Sequence, residues 1–378
     1  MDRRQWLLLT GAGALLPGTR ALPAAATEPR TEAQPPGTAA VDRYPPVLPG
    51  RPLRFPRDFG AHPPWRTEWW YVTGWIEAGG RALGLQLTFF RSRTGHSDDN
   101  PSRFAPAQLL LGHAALAVQG ETRLRHAQRA VRAGLGLAGF SEDDTDVAIG
   151  DWSLRRRPDD RYEARIAARD FAFTLLLEPP GPPVLQGDAG FSRKGPLPRQ
   201  ASHYYSRPQL RTSGRLWLDA PQDSAGLPLN GRAWLDHEWS SEILDSTASG
   251  WDWVGLNLDD GSALMAFRIR GRDGSVRWSH ARWIGADGQP DPATPEPGFE
   301  PLRHWRSARS GARYPVAMTL TVGARQLRLD PLFDDQELDA RASTGTIYWE
   351  GAMRVFEDQR EVGKGYLELT GYAAALRF

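Results

Sequence analysis

His237 has the surroundings that most strongly indicate chemistry. It lies in "GRAWLDHEW", residues 231–239, and successive side chains of a strand face opposite sides. Leu235, His237 and Trp239 then share one face. An imidazole titrates near neutral pH and can hold or move a proton, whereas a buried one must be hydrogen-bonded. Two alternatives follow: an acid–base group, or a core histidine bonded to a backbone carbonyl.

The octapeptide "EWWYVTGW", residues 68–75, concentrates aromatic side chains beside the acid Glu68. Read as a strand, it has two apolar faces, which indicates that both are covered, one by an interior and one by a second sheet or domain. Its aromatic rings are suited to walling a long hydrophobic ligand, and ordinary core packing is the alternative. Glu68 is expected to pair with Arg66 or a distant arginine.

Further candidates for ligand binding stand in aromatic or histidine-containing segments. The segment "HYYSRPQL" is expected to rim a cavity mouth or to bind a carboxylate. His113 opens "HAALAV" as His280 opens "HARWIG", which favours a structural role for it. The complete predicted ligand-binding set is Glu68, Trp69, Trp70, Tyr71, Trp75, His113, Tyr204, Tyr205, Arg207, Trp251 and Trp253.

Several reaction classes lack their signatures. The chain has no cysteine, which excludes disulfides and thiol catalysis. The eight histidines form no H-x-x-x-H pair, and "DHE" on a strand cannot direct three ligands at one ion. A nucleophile elbow, a P-loop and a dinucleotide fingerprint are also missing. We therefore predict neither a metal site nor a cofactor.

The elements that must position these residues are strands. Apolar runs of five to nine residues alternate with clusters of Gly, Asp, Asn and Pro, as in "ALGLQLTFF", "FAFTLLLE" and "VAMTLTV". The predicted class is mainly β, with sheets closed into barrels or sandwiches. Residues 122–131 are the best candidate for a helix.

An internal duplication is indicated by two repeated patterns. "GRAWLDHEW" resembles "GKGYLELTG" at an offset of 132 residues, and an offset of 181 aligns a second set: Trp70, Gly74, Gly80, Ala82 and Leu83 with Trp251, Gly255, Gly261, Ala263 and Leu264. The halves are predicted at residues 55–245 and 246–378. Leu367 and Leu369 mark the interior face of the second copy, so His237 takes the inward position that Leu369 has there.

The amino terminus resembles an export signal. Arg3 and Arg4 precede a short apolar run and an Ala-x-Ala cleavage site near Ala26, which favours the twin-arginine route. Residues 1–26 are predicted to be the signal and residues 27–54 a flexible linker, so the mature protein is expected to be periplasmic or secreted. The net charge of +1 comes from arginines scattered among acids, which argues against nucleic-acid binding.

Long motifs across residues 55–378 give the sequence a family resemblance. The segments "FPRDFGAHPPWRTEWWYVTGWI", "HYYSRPQL", "AWLDHEWS", "WDWVGLNLDDGSALMAFRIR", "YWEGAMRV" and "GKGYLELTGY" are similar to those of exported AttH-like proteins. This lipocalin-like family includes carotenoid 1,2-hydratase. The resemblance implies two tandem lipocalin-like β-barrel domains, in agreement with the duplication.

The resemblance also implies candidate chemistry. The family's hydratases have a His-x-Trp pair that His237 and Trp239 match. In such a reaction His237 moves the proton or holds the water, Trp239 faces the cation, and Asp236 or Asp252 is the acid. Tyr204 is a candidate for the partner tyrosine.

We expect a carrier of a long hydrophobic ligand such as a lipid, isoprenoid or carotenoid. A hydratase that adds water to an isoprenoid double bond is the first alternative, and an accessory of an inner-membrane ABC exporter is the second. A monomer is expected.

Overall fold

A computed structural model describes residues 44–96, 99–102, 104–219 and 221–376. The predicted signal over residues 1–26 and most of the predicted linker lie outside this range. The described residues belong to one compact unit. Among them, no helix has both the length and the apolar character needed to cross a membrane.

The described chain consists almost entirely of strands. A single 3-10 turn, Arg57–Phe59, precedes them. The strands are β1 (Thr67–Ala78), β2 (Arg81–Arg93), β3 (Gln108–Val118), β4 (Arg125–Arg132), β5 (Ala138–Phe140), β6 (Asp146–Ile149), β7 (Trp152–Arg156), β8 (Tyr162–Ala167), β9 (Phe171–Glu178), β10 (Val184–Leu185), β11 (Phe191–Arg193), β12 (Ala201–Leu218), β13 (Leu227–Glu242), β14 (Ala248–Leu258), β15 (Ala263–Gly271), β16 (Val276–Ile284), β17 (Pro297–Arg306), β18 (Arg313–Val322), β19 (Arg325–Pro331), β20 (Glu337–Ala340), β21 (Thr346–Glu357) and β22 (Arg360–Leu369).

The strands form two antiparallel sheets. The first is a nearly closed barrel in the order β4-β3-β2-β1-β13-β12-β9-β8-β7-β6-β5, with β10 and β11 on β12. The second is a half-barrel in the order β16-β15-β14-β22-β21-β19-β18-β17, with β20 on β21. In each sheet the first strand pairs with the last long strand, β1 with β13 and β14 with β22. The mainly β class is therefore confirmed.

Three apolar cores follow from the alternation of side chains. One fills the first barrel, one fills the half-barrel, and the third lies between them. Strand β1 contributes to two of these, because Trp70 and Val72 point into the first barrel while Tyr71 and Trp75 point toward the second sheet. The doubly covered strand predicted for the octapeptide is confirmed.

The helix predicted over residues 122–131 is wrong. Residues 125–132 form β4, an edge strand paired antiparallel to β3. An isolated helix of this length is marginal in water, whereas β3 offers a full ladder of backbone partners. The arginines that interrupt the segment suit an exposed edge, where charge discourages pairing with another chain.

The structure supports the 132-residue repeat and corrects the 181-residue repeat. Val72 pairs with Leu235 and Val254 with Leu367, so the two leucines are equivalent and His237 occupies the position of Leu369. The 181-residue offset instead aligns side chains that face opposite ways. Trp70 lies inside the first barrel, whereas Trp251 projects from the second sheet toward the first.

The turn after β1 consists of two residues, Gly79 and Gly80. The turn after β14 consists of three, residues 259–261, because Leu258 N donates to the Ser262 carbonyl and extends the ladder by one pair. The extra turn residue shifts the alternation of side chains by one position.

Candidate functional site

A cavity of about 100 Å³ lies between the two sheets, and we call it the chamber. Four strands that meet along the interface, β1, β13, β14 and β22, supply much of its wall. Most of the wall is aromatic or aliphatic, but it includes a group of carboxyl side chains. The lining residues are Thr67, Trp69, Tyr71, Thr88, Phe90, Lys194, Asp236, Glu238, Ile243, Trp251, Trp253, Phe267, Ile269, Tyr348, Glu350 and Glu368.

Glu350 and Glu368 form a carboxyl pair in the chamber. They are direct cross-strand partners on β21 and β22, so their side chains extend from the same face of the sheet. Glu350 is almost fully buried, and one of its oxygens, Oε1, accepts a hydrogen bond from the Tyr71 hydroxyl. The other oxygen, Oε2, has no hydrogen-bond partner among the described residues. Trp251 Nε1 donates to Glu368 Oε2 at 2.8 Å.

The environment of the chamber raises the pKa values of the two glutamates by different amounts. Burial first, and then the charge of Glu368, raise the pKa of Glu350 well above its ordinary value. Burial raises the pKa of Glu368 to about 7, against the opposing hydrogen bond from Trp251. Two like charges this close in a water-poor site cannot both form readily. Near neutral pH, Glu350 is therefore a neutral acid and Glu368 is poised between acid and base.

Asp236 is a third buried acid in the chamber wall. Burial raises its pKa to about 7, although hydrogen bonds from Ser206, Trp234 and Tyr204 oppose the shift. These three donors lie 2.6, 2.6 and 2.7 Å from the carboxyl oxygens. They fix the orientation of Asp236 and occupy most of its acceptor positions, roughly three of four, so Glu350 and Glu368 are the freer acids.

A buried ion pair completes the polar part of the wall. Lys194 Nζ lies 2.8 Å from Glu238 Oε1. The same ammonium group lies 4.2 Å from the ring centroid of Phe267 and 4.7 Å from that of Tyr204. Aromatic faces attract cations, so the rings of the chamber offer stabilisation to a positive charge that develops on a bound ligand.

His237 lies outside the chamber, in a network inside the first barrel. His237 Nε2 is 2.8 Å from Glu68 Oε1, and its Nδ1 is 3.0 Å from the Tyr205 hydroxyl. Glu68 Oε1 also bonds His62 Nδ1 at 2.7 Å, and Arg91 Nε donates to Glu68 Oε2 at 2.7 Å. All five side chains are fully buried. We call them the His237 network.

The positions of the protons in this network follow from its acceptors. A carboxylate only accepts, so the two ring nitrogens that contact Glu68 carry protons. His62 Nε2 is also 3.0 Å from Asp58 Oδ1, so His62 lies between two carboxyl groups, and its ring stacks on Trp239 with centroids 3.6 Å apart. Burial lowers the pKa of His237, so it is neutral and its Nδ1 accepts from Tyr205.

Glu68 has the opposite protonation state to Glu350. Burial would raise the pKa of Glu68, but the charges of His62 and Arg91 and the hydrogen bonds from both histidines hold it well below the ordinary range. Glu68 is consequently paired with the guanidinium of Arg91, and the polar side-chain atoms of the network are hydrogen-bonded. That is the arrangement of a satisfied core histidine, although its partners are side chains rather than a backbone carbonyl.

His62, Glu68 and His237 also have the spacing of metal ligands. One ligand atom from each lies within 4.8 Å of the others. The hydrogen bonds of the network account for these three atoms without an ion, and the guanidinium of Arg91 on Glu68 adds positive charge there. The absence of a metal site stays a prediction, which elemental analysis of the purified protein tests.

The structure does not assemble the predicted catalytic group. His237 and Trp239 share the interior of the first barrel, and Asp236 faces the chamber on the opposite side of β13. Asp252 is buried and bonded to Arg268 at 2.7 Å and Arg270 at 2.9 Å. The carboxylate partner of His237 is Glu68.

The predicted ligand-binding residues divide among several places. Trp69, Tyr71, Trp251 and Trp253 line the chamber, and Tyr204 lies behind it on Asp236 and Trp253.

The other predicted residues lie elsewhere. Trp75 lines a second cavity. Glu68, Trp70 and Tyr205 belong to or pack on the His237 network. His113 bonds the Tyr348 hydroxyl at 2.7 Å, with its pKa lowered by burial to about 3, and Arg207 pairs with Asp160.

Sequence reasoning missed Glu350 and Glu368. Each interrupts an otherwise apolar or aromatic strand, in "TIYWEGAMRV" and "GKGYLEL". An acid in the middle of such a run was the available signal, since a buried charge requires a partner or a function. No feature of the sequence indicates that the two acids are cross-strand neighbours.

Comparisons with known proteins identify the family. The AttH-like family model matches residues 46–372. The chain belongs to the AttH-like family. A search of curated proteins found no match.

Two solved structures resemble the chain. A Nitrosomonas europaea protein assigned to AttH has 49% sequence identity and a TM-score of 0.79, covering 87% of this chain and 99% of its own. Kievitone hydratase from Nectria haematococca has 15% identity and a TM-score of 0.64, covering 88% of this chain and 98% of its own. The second likeness shows the fold alone, and it confirms the lipocalin-like barrels.

Proposed function

We propose that this AttH-like protein is a hydratase that adds water to a carbon–carbon double bond of a hydrophobic ligand in the chamber. The observation that carries the proposal is the Glu350–Glu368 pair. Binding of an apolar ligand does not require two buried acids side by side. Their burial lowers the stability of the fold, and buried acids with shifted pKa values are typical of functional sites.

The roles of the pair follow from their protonation states. Glu350 donates its proton to the less substituted alkene carbon, and the π electrons form the new C–H bond. A tertiary cation remains and is stabilised by the faces of the chamber's rings. Water then bonds to the cation through its oxygen and releases a proton to the Glu368 carboxylate. Proton transfer from Glu368 back to Glu350 restores the starting state, so the net change is the addition of one water molecule.

Two further facts support this proposal over a simple carrier. A cavity of about 100 Å³ is smaller than the roughly 300–1,000 Å³ typical of a ligand pocket, so it suits the reacting end of a ligand better than a whole long chain. A protein of similar fold is named a hydratase, so the fold is compatible with hydration.

The experiment is incubation of the purified protein with isoprenoid alkenes in isotopically labelled water. Farnesol, geranylgeraniol and squalene are suitable test substrates. Wild-type protein is expected to give a product heavier by one labelled water molecule. Glu350→Gln removes the acidic proton with little change in shape and is expected to lower the rate by about 100-fold or more.

Glu337→Gln is the matched control, because Glu337 is a buried acid that bonds Ser307 and Ser310 away from the chamber. It is expected to keep the wild-type rate. Equal rates in Glu350→Gln and wild type contradict the proposed mechanism. Retention of an alkene with unchanged mass, and no product from any substrate, favours a carrier.

Export and an exporter partner are proposals that rest on the sequence alone. Mass spectrometry of the protein from its own host tests the first, since cleavage near Ala26 fixes the mass of the mature chain. Co-purification with an inner-membrane ABC transporter tests the second.

A further inference from the structure

A second cavity, of about 240 Å³, continues along the same interface, and we call it the vestibule. The four strands β1, β13, β14 and β22 line both cavities in series. Along β1 the chamber takes Tyr71 and the vestibule takes Trp75; along β22 the chamber takes Glu368 and the vestibule takes Lys364. Four strand residues span about 13 Å, which sets the spacing of the two sites.

Aromatic rings stand at the boundary of the two cavities. Trp253 packs edge-on against Trp234 with ring centroids 6.2 Å apart, and against Tyr71 at 5.2 Å. Trp234 lines the vestibule, while Trp253 and Tyr71 line the chamber. The boundary is therefore made of side chains, which change rotamer far more readily than backbone.

Trp75, a wall residue of the vestibule, has an unused hydrogen-bond donor. Trp75 is only 7% exposed, and its Nε1 is buried with no hydrogen-bond partner among the described residues. A buried donor without an acceptor is costly, so binding of a group that brings an acceptor to this nitrogen is favoured. Of the two asparagines in the wall, Asn257 already accepts from the Gln209 backbone N–H and donates to the Ala233 carbonyl.

The charges of the vestibule balance one another. Glu77 and Asp259 oppose Arg232 and Lys364 in its wall. Arg232 donates to the Gln209 side chain at 2.8 Å, and Lys364 Nζ lies 5.4 Å from the Trp75 ring. A site without net charge favours a neutral head group over an anion, whose desolvation it does not offset.

We propose that the ligand is amphipathic, with an uncharged oxygen head group bound at Trp75 and its double bond in the chamber. The proposal rests on the proposed function for the identity of the chamber end, and it adds the head group, its binding residue and the spacing between the two ends. It distinguishes a ligand of this kind from a pure hydrocarbon.

The test is a binding measurement that does not require turnover. Farnesol and its deoxy hydrocarbon share one carbon skeleton and differ in the hydroxyl oxygen. Isothermal titration of the Glu350→Gln protein, in which the mechanism is blocked, is expected to show farnesol binding more tightly. Adding Trp75→Phe keeps an aromatic ring but removes the donor, and it is expected to weaken farnesol roughly five-fold while leaving the hydrocarbon unchanged.

Trp305→Phe is the matched control, because Trp305 packs on the core of the half-barrel away from both cavities. It is expected to change neither affinity. Equal affinities for farnesol and the hydrocarbon in the starting protein overturn the proposal without any variant. Equal weakening of both by Trp75→Phe also overturns it. Because binding is measured in a protein whose hydration is slowed by about 100-fold or more, these outcomes are independent of whether the wild-type protein is a hydratase.

Discussion

Two buried glutamates in this protein differ in charge because their hydrogen-bond donors differ. Glu68 has His62, His237 and Arg91 as donors and remains a carboxylate. Among the described residues, the Tyr71 hydroxyl is the one donor to Glu350, which also faces another acid, so Glu350 holds its proton. Identical side chains at equal burial thus take different roles, one stabilising a core and one available to a ligand.

His237→Leu tests the structural role of the His237 network. The substitution copies the residue at the equivalent position of the second sheet and leaves Glu68 and Tyr205 each without one partner. We expect the free energy of unfolding to fall by about 1–3 kcal/mol, as measured by urea unfolding. Hydration activity is expected to survive in the folded fraction.

The exposed His304 offers the control, and His304→Leu is expected to change stability by less than about 0.5 kcal/mol. Loss of turnover by His237→Leu at full stability contradicts a structural role and returns His237 to the reaction.

Among the strands, the facing of side chains was predicted well from the sequence, because successive side chains of a strand alternate between its two faces. This alternation assigned Trp70 and Tyr71 to opposite faces, and both faces proved to be covered. It could not predict the neighbours of a strand, because β-pairing joins residues far apart in sequence and depends on turn length. Because the turn after β14 has one extra residue, the sequence alignment that matches Gly80 with Gly261 pairs Trp70 with Trp251, although these two side chains are on opposite faces of their strands.

Gly84→Ala tests the close contact of the two sheets. A Cβ at Gly84 would lie 2.3 Å from the Ala352 Cβ and 2.5 Å from the Tyr366 hydroxyl, which is closer than atoms pack. We expect the substitution to lower the free energy of unfolding by about 1–3 kcal/mol through overpacking, measured by thermal or urea unfolding.

Gly139→Ala is the comparison, since Gly139 also lies in a strand and a Cβ there meets no heavy atom within 4 Å. It is expected to be nearly neutral. If Gly84→Ala is equally neutral, the two sheets move apart easily enough to accept the extra methyl group, which contradicts the close contact at Gly84.

At the scale of the whole molecule, the chamber exists only because two similar sheets pack face to face. Its acids come from both: Asp236 from the first sheet, and Glu350 and Glu368 from the second. The duplication was visible in the sequence, but the grouping of these three acids in one chamber was not, because they come from both repeats and from strands far apart in sequence. The difference between the repeats that the sequence does show is at His237, which lies outside the chamber.

The buried acids make stability depend on pH in a specified direction. Asp236 and Glu368 have folded-state pKa values of about 7, above the ordinary carboxyl values near 4. Between about pH 4 and pH 7 these two acids bind more protons in the folded protein than in the unfolded chain, so their contribution to the free energy of unfolding falls as pH rises. Buried histidines with lowered pKa values, such as His113 and His237, contribute in the opposite direction. Urea unfolding at a series of pH values measures this slope.

The double variant Asp236→Asn with Glu368→Gln is expected to make the slope of the free energy of unfolding against pH more positive than that of wild type, and Glu337→Gln is expected to leave it unchanged. Asp58 and Glu68 act the other way, because their lowered pKa values give stability above about pH 4 that is lost as the pH falls further. A double variant with the same slope as wild type contradicts the proposed protonation states of Asp236 and Glu368.

The neutral carboxyl group of Glu350 is the central claim, and infrared spectroscopy of its C=O stretch measures it without knowledge of the substrate. At pH 7 we expect a protonated-carboxyl band in wild type and in Glu337→Gln that loses the intensity of one carboxyl group in Glu350→Gln, where Asp236 and Glu368 still contribute a partial signal. A wild-type spectrum with no such band, or a band that Glu350→Gln leaves unchanged, contradicts the account.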